Sequence, residues 1–334
     1  MDKRIQSAWG PTQAIDGVAD YRQDEQFHAL GTNVQLSIFG ANQRQWLTKA
    51  HELVINYEDQ LTVNRNTSEV MAINQAAGKY PIQVSDSTYR LIELGVKASL
   101  EKSGFNIAIG PLVKSWQIGF ADAHRPSPTD IDAALALIDP QKIHLDAGNR
   151  TVYLSQVGMK LDLGAIAKGY IADRIKDLWM AVGISAGLIN LGGNLLFVGA
   201  SPHTTDRAWR IGVQNPWASR GEPLATVNLP ACSAVTSGIY ERHLTVGQHD
   251  YHHILDSQTG YPFETDLAGV TVFSRHSIIG EVESTRLFFA GKAPQNWLQE
   301  HPDCLGAIFV NQQHQVEIVG LDPAIVKLNQ TDSQ

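Results

Sequence analysis

Between residues 186 and 274 the chain offers one strand-like segment after another: 186–198, 208–214, 223–229, 233–237, 242–246, 251–255 and 268–274. Short turns separate most of them. Strands that follow one another across short turns pair antiparallel, because a parallel pair needs a long crossover. This stretch therefore predicts mostly antiparallel sheet with helices packed on it, an α+β fold.

The first half supplies most of the helices. Residues 33–39 alternate apolar and polar and predict a half-buried strand. In 42–59, Trp46, Ala50, Leu53 and Tyr57 recur at helical spacing, and 68–76 and 86–102 also fit helices. Ser127-Pro128-Thr129-Asp130 has the cap, first-turn proline and early acid that open a helix, here to about Ile138. Short strands at 142–146 and 151–155 predict a hairpin. A long helix is expected from Ala165 to Val182, closed by Gly183, with Ile166, Tyr170, Ile171, Ile175, Leu178 and Trp179 as its apolar stripe. A helix at 277–290 and a hairpin near 305–319 complete the pattern.

At 334 residues the chain exceeds the roughly 250–300 at which one core stops growing, so two lobes are expected. The predicted organisation is an extension at 1–22, one two-lobed domain over 23–325 and a polar tail at 326–334. A net charge of −8 argues against a general nucleic-acid or anionic-membrane binder, each of which needs a basic face. No run approaches the roughly 20 apolar residues of a membrane span. The residues after Met1 lack the apolar run of a signal peptide, which predicts a cytoplasmic protein, or an extracytoplasmic one if a leader has been removed. Cys232 and Cys304 read as small buried hydrophobes.

Several segments carry more polar chemistry than packing requires. YHHILDSQTGYP (251–262) sets two histidines, an aspartate and a Thr-Gly turn around a short apolar pair. In LDLGAIAKGYIAD (161–173) a strand end meets a helix start, and backbone N–H groups at such a junction suit a phosphate. AVTSGIYERH (234–243) offers the hydroxyls of Thr236 and Ser237 and the N–H of Gly238 to phosphate oxygens, while Arg242 fits either pairing on a neighbouring strand near Glu241, the slightly favoured reading, or a ligand contact. In GEVESTRLFFAG (280–291), Glu281 and Thr285 are spaced i, i+4 and share a helix face, a donor pair that suits Mg²⁺. Glu283 reads as part of an exposed polar face. Within LINLGGNLLFVG (188–199), Gly192-Gly193 reads as a bulge or tight backbone packing rather than a phosphate loop.

With LGTNVQLSIFG (30–40), LTVNRNTSEVMAIN (61–74) and GFNIAIGPLVKSW (104–116), these segments in this order resemble the ApbE family, the FAD:protein FMN transferases. The resemblance spans about residues 28–320 and implies the same α+β architecture, of the T-fold-like ApbE type. It implies FAD contacts at Leu30, Asn64, Gly104, Phe105, Asn106, Asp162, Lys168, Ile254 and, near the nucleotide, Ser284. Thr236, Ser237 and Gly238 join that set. It implies a Mg²⁺ site of Glu281, Thr285 and Ala165, the last through its backbone carbonyl because alanine has no side-chain oxygen. Three departures stand out. Asn64 replaces a tyrosine of some relatives, Ile239 an aspartate of many, and Glu281 the family's shorter aspartate.

The implied reaction is transfer of FMN from FAD to a Thr or Ser hydroxyl of an acceptor flavoprotein, with AMP released. His253 is the candidate general base, in the titration range such a base needs. Asp256 is the candidate to orient a ring or approach the metal. His252, expected on the opposite strand face, has no assigned role. Two other outcomes fit the same residues: a Mg²⁺-dependent FAD pyrophosphatase giving FMN and AMP, and an FAD-binding protein without turnover.

Overall fold

The computed structural model describes residues 21–329. The first 20 residues of the expected extension and residues 330–334 of the expected tail lie outside that range. β1 (Arg22–Ala29) and β2 (Thr32–Phe39) form a hairpin, followed by helices α1 (Arg44–Leu61) and α2 (Glu69–Ala76). Next come β3 (Ile82–Gln83), α3 (Asp86–Leu100), α4 (Gly110–Trp116), α5 (Pro128–Leu135), β4 (Ile143–Asp146) and β5 (Thr151–Leu154). Helix α6 (Ala167–Ala181) leads into β6 (Ala186–Leu191), β7 (Asn194–Gly199), β8 (Trp209–Gln214), β9 (Pro223–Leu229), β10 (Ser233–Gly238), β11 (His243–Val246), β12 (His249–His252) and β13 (Leu267–Ser274). Helices α7 (Ser277–Ala290) and α8 (Trp297–Glu300) precede β14 (Cys304–Asn311), β15 (Val316–Val319) and β16 (Val326–Leu328).

The main sheet has eight antiparallel strands in the order β1-β2-β6-β7-β10-β13-β14-β15. Strand alternation divides its side chains. Val34, Leu36 and Ile38 of β2 and Leu196 and Val198 of β7 join Leu47, Ala50 and Val54 of α1 and Ile171, Ile175 and Trp179 of α6. Phe39 and Phe197, one residue out of phase, turn to the other face and meet Trp209, Ile211, Leu224 and Val227 of β8 and β9. Helix α7 packs on β10 and β13, where Val270 and Val272 meet Leu287 and Phe288. All eight residues of β13 are buried because both its faces are covered. A separate cluster joins Leu112 and Trp116 of α4, Ile131 and Ala134 of α5, and Leu255, with Trp116 Nε1 donating to the Gly260 carbonyl at 2.8 Å.

Most expected elements form within a residue or two of their predicted ends. Ser68, Ser85 and Ser127 cap α2, α3 and α5 by accepting backbone N–H bonds. The main sheet also contains a strand the sequence did not advertise. β1 (RQDEQFHA) is polar at most positions and finds its place by pairing with β2. The single strand expected over 186–198 is two strands. Gly192 (φ +67) and Gly193 (φ +100) make a two-residue turn, and positive φ at both positions matches the twist of a tight hairpin. Within the expected tail, Val326–Leu328 pairs with β9. Cys232 and Cys304 are both free and buried. Among the described residues no helix is long and apolar enough to cross a membrane.

Candidate active site at the junction of two helices

The two helices that carry most of the oxygen donors are pinned together at their N-terminal ends. Asp173 of α6 accepts from Ser277 N at 2.8 Å and Ile278 N at 3.0 Å, so one helix caps the other. Burial raises the Asp173 pKa, against the lowering effect of those two bonds. One turn earlier, a Cβ on Gly169 would stand 2.6 Å from both Glu281 Cγ and the Ser277 carbonyl, so only glycine allows this approach.

The approach lays the Glu281 carboxylate over the first turn of α6. Its Oε1 accepts from Gly169 N at 3.2 Å and from Asn194 Nδ2 at 2.8 Å. Asn194 is itself held by Ser277 Oγ, which donates to its Oδ1 at 2.9 Å. In a regular helix the Gly169 N–H would donate to the Ala165 carbonyl. Here Ala167 N reaches Leu163 O, Tyr170 N reaches Ile166 O, and Gly169 N goes to the carboxylate. The helix starts at Ala167, two residues later than predicted, so Gly169 N is one of its unpaired first-turn donors and the Ala165 carbonyl has no backbone donor among the described residues. Burial raises the Glu281 pKa, opposed first by the Lys168 ammonium and then by the Asn194 and Gly169 bonds.

Along α7, Thr285 Oγ1 and Ser284 Oγ donate to the Glu281 carbonyl at 3.0 and 3.2 Å. Ser237 Oγ lies 3.0 Å from Ser284 Oγ and 3.4 Å from Thr285 Oγ1. Glu281, Ser284, Thr285 and Ser237 thus form one oxygen cluster. Thr236 does not join it. Strand alternation turns its side chain away, and its hydroxyl pairs with Thr271 at 2.8 Å. Gly238 ends the strand against the Tyr240 ring.

Glu283 is 3 % exposed rather than part of a solvated face. Its carboxylate accepts from Trp297 Nε1 at 2.9 Å and Arg286 Nη1 at 2.7 Å, tying α7 to α8.

The histidine segment separates its two rings by environment. β12 ends at His252, so strand alternation does not govern His253. His252 Nε2 donates to the Phe263 carbonyl at 2.9 Å and Nδ1 accepts from Ile254 N at 3.2 Å, which requires the neutral tautomer with its proton on Nε2. His253 has a buried Nδ1 without a hydrogen-bond partner among the described residues. Burial first, then the Arg242 charge, lower its pKa from 6.5 to about 4, and Lys168 acts in the same direction. Asp256 is occupied elsewhere: Oδ1 accepts from Gln258 N at 2.8 Å, and its backbone pairs with Gly260 and Tyr261, which closes the 256–261 turn.

Asp162 and the 104–107 loop are neighbours, because Asp162 N donates to the Ile107 carbonyl at 2.9 Å. Asp162 Oδ1 accepts from Gly164 N at 2.8 Å. Desolvation raises its pKa, opposed by that bond and by the Arg242 charge. No strand forms at 161–164 beyond a single bridge from Lys160 to Ile109, and buried Asn74 clamps this extended segment instead, bonding both Leu161 N and Leu161 O at 2.7 and 3.0 Å. Asn106 has both ends of its amide committed, Nδ2 to Ile138 O at 2.9 Å and Oδ1 to Ala108 N at 2.8 Å. That removes the paired donor and acceptor an adenine reader would present. Phe105, 2 % exposed, belongs to the core. Gly104 (φ +90) lies against the Phe289 ring, which packs 4.7 Å from Phe263. Phe263 N bonds the Ile254 carbonyl at 2.9 Å, so Gly104, Phe289, Phe263 and Ile254 make one continuous wall. Leu30 (φ +55) sits in the β1–β2 turn, and Asn64 is exposed in the loop after α1.

Asn194 is not apparent from the sequence as a site residue, and Arg242 reads there first as a strand partner. Asn194 stands after a Gly-Gly pair whose turn geometry drew attention away from it. Arg242 does not pair with the neighbouring strand; Glu241 pairs instead with Arg220 at 2.5 Å. The only signals for either were position within a polar motif and, for Arg242, charge.

Scaffold and cluster together define an antiparallel α+β protein whose oxygen donors and cations converge where two helix starts meet. The ApbE family profile matches residues 30–309, and the chain belongs to that family. It is 39 % identical over 305 residues to the FAD:protein FMN transferase of Klebsiella pneumoniae strain 342, covering 91 % of this chain and 93 % of the relative. The FAD:protein FMN transferase of Treponema pallidum strain Nichols is 38 % identical over 258 residues, 73 % of this chain and 71 % of its own length. The crystal structure of the Thermotoga maritima ApbE protein superposes with a TM-score of 0.81 at 26 % identity, over 90 % of this chain and 97 % of that one. The apo flavinyl transferase ApbE of Pseudomonas stutzeri shares the fold, with a TM-score of 0.75 at 24 % identity over 91 % and 96 % of the two chains.

Proposed function

We propose that this protein is an FAD:protein FMN transferase that moves FMN from FAD to a Thr or Ser hydroxyl of an acceptor flavoprotein. The observation that carries the reading is the junction itself. Glu281 accepts the Gly169 N–H of the first turn of α6, the Ala165 carbonyl at the same helix start has no donor among the described residues, and Thr285 stands one turn along α7 from Glu281. Such hard, anionic and neutral oxygens fit Mg²⁺, and Ala165, Glu281 and Thr285 would hold it. Bound there, the ion supplies charge neutralisation for a pyrophosphate. The longer Glu281 arm fits because its Cγ rests against Gly169 and its Oε1 is fixed by two donors, while Oε2 has no partner among the described residues.

In this reading the acceptor hydroxyl oxygen forms a bond to the FMN-side phosphorus of FAD, and the P–O bond to AMP breaks. The hydroxyl proton passes to the His253 imidazole. Burial and two nearby cations keep that ring neutral when no anion is bound, so its lone pair is available at neutral pH. A pyrophosphate offsets those cations and brings the ring back toward the range of an effective base. The wall of Gly104, Phe289, Phe263 and Ile254 offers apolar surface to a flavin-bearing ligand. The rest is positioning, which is what phosphoryl transfer chiefly demands of a protein.

The test is incubation with FAD, Mg²⁺ and an acceptor bearing a Thr/Ser flavinylation segment. In-gel flavin fluorescence and an FMN mass increment on the acceptor are expected, and chelator abolishes both. Free FMN and AMP with an unlabelled acceptor would assign hydrolysis instead.

A further inference from the structure

We propose that Arg242 binds the FAD pyrophosphate together with Lys168, so that two cations around His253 receive the two phosphate charges. This rests on the transferase reading and adds a substrate-positioning residue to it.

The geometry comes first. The Arg242 side chain lies across the Gly119 turn, where a Cβ would stand 2.6 Å from Arg242 Cδ and 3.1 Å from Cγ. Its Nη2 reaches to 4.0 Å from the position a Cβ would take on Gly31, in the turn that also carries Leu30. Gly119 and Gly31, lacking side chains, therefore leave room for the Arg242 arm between their turns, within range of Asp162 and His253. Both of those groups feel its charge. Lys168 acts on His253 and on Glu281 from the α6 side.

The charge is also uncommitted. Carboxylates near it in sequence are taken, Glu241 by Arg220 at 2.5 Å and Asp250 by His243 at 2.9 Å. Arg242 forms no ion pair among the described residues. A guanidinium that no carboxylate contacts directly, with Asp162, a neutral imidazole and a lysine near it, can receive an anion, and its planar fork suits phosphate oxygens. FAD offers two phosphates in line, whereas riboflavin offers none.

The experiment is binding of FAD, ADP and riboflavin by calorimetry to wild-type protein, Arg242→Ala and Arg242→Lys, with Mg²⁺ present. Loss of a charge-assisted bond predicts about a 10- to 100-fold weaker FAD in Arg242→Ala. ADP should weaken in parallel, riboflavin should be unchanged, and Arg242→Lys should fall between. Thermal melting should not move, because the side chain is exposed. Equal weakening of FAD and riboflavin would show a structural role and overturn the proposal, as would unaltered FAD binding in Arg242→Ala. Wild-type protein that binds no FAD would instead overturn the transferase reading on which the proposal stands.

Discussion

Placing a histidine with a depressed pKa at the site has a measurable cost in acid. Unfolded, His253 takes up its proton near 6.5; folded, it does so only at about 4. Protonation therefore favours the unfolded chain throughout that interval. The stability linked to this residue is intact above the unfolded value and is lost progressively as pH falls toward the folded one. At about pH 5 the two values correspond to a loss of about 2 kcal/mol, and the limit below both is about 3 kcal/mol. The comparison to make is urea unfolding of the wild-type protein and His253→Gln, each at about pH 7.5 and about pH 5. Every other titrating group is common to both proteins. The wild type should lose about 2 kcal/mol more than the variant between those conditions. Identical pH dependence would falsify the claim that the fold holds this ring neutral, and with it the account of why its lone pair is free at neutral pH.

Other perturbations separate chemistry from scaffolding. Glu281→Gln should raise the Mg²⁺ concentration needed for flavinylation by about tenfold or more, as should Thr285→Val; a metal titration unchanged in Glu281→Gln would remove this carboxylate from the site. Gly169→Ala forces a Cβ to 2.6 Å from Glu281 Cγ and Ser277 O. It should cost about 1–3 kcal/mol in thermal or urea unfolding, and wild-type stability would contradict the tight helix junction. His253→Ala should slow transfer by roughly 10²–10⁴-fold. His252→Ala breaks two internal bonds and should act mainly on stability, by about 1–3 kcal/mol. Equal rate losses from the two histidines would refute their division of labour.

Local features are legible in the residues themselves. Serine caps at 68, 85 and 127, the stripe of α6 and the i, i+4 pair on α7 all depend on residues within a turn or two of one another. The antiparallel sheet is legible because short turns leave no other pairing. β1 is not, since its alternation has mostly polar residues on both faces and only the β2 edge makes it a strand.

The site divides along the same line. The segments that supply it, 161–173, 234–243, 251–262 and 280–291, announce themselves by polar groups in unusual density. What each group does is decided across the fold. Glu283 and Glu281 sit two residues apart on one helix, yet one is locked to Trp297 and Arg286 while the other bonds an amide and a backbone N–H from different elements. Asp256 and Asn106 are committed within their own surroundings, and Arg242 is uncommitted. A helix period or a cap is a property of neighbours along the chain. A carboxylate that caps the N–H of Gly169, 112 residues away, is a property of two helices meeting in space.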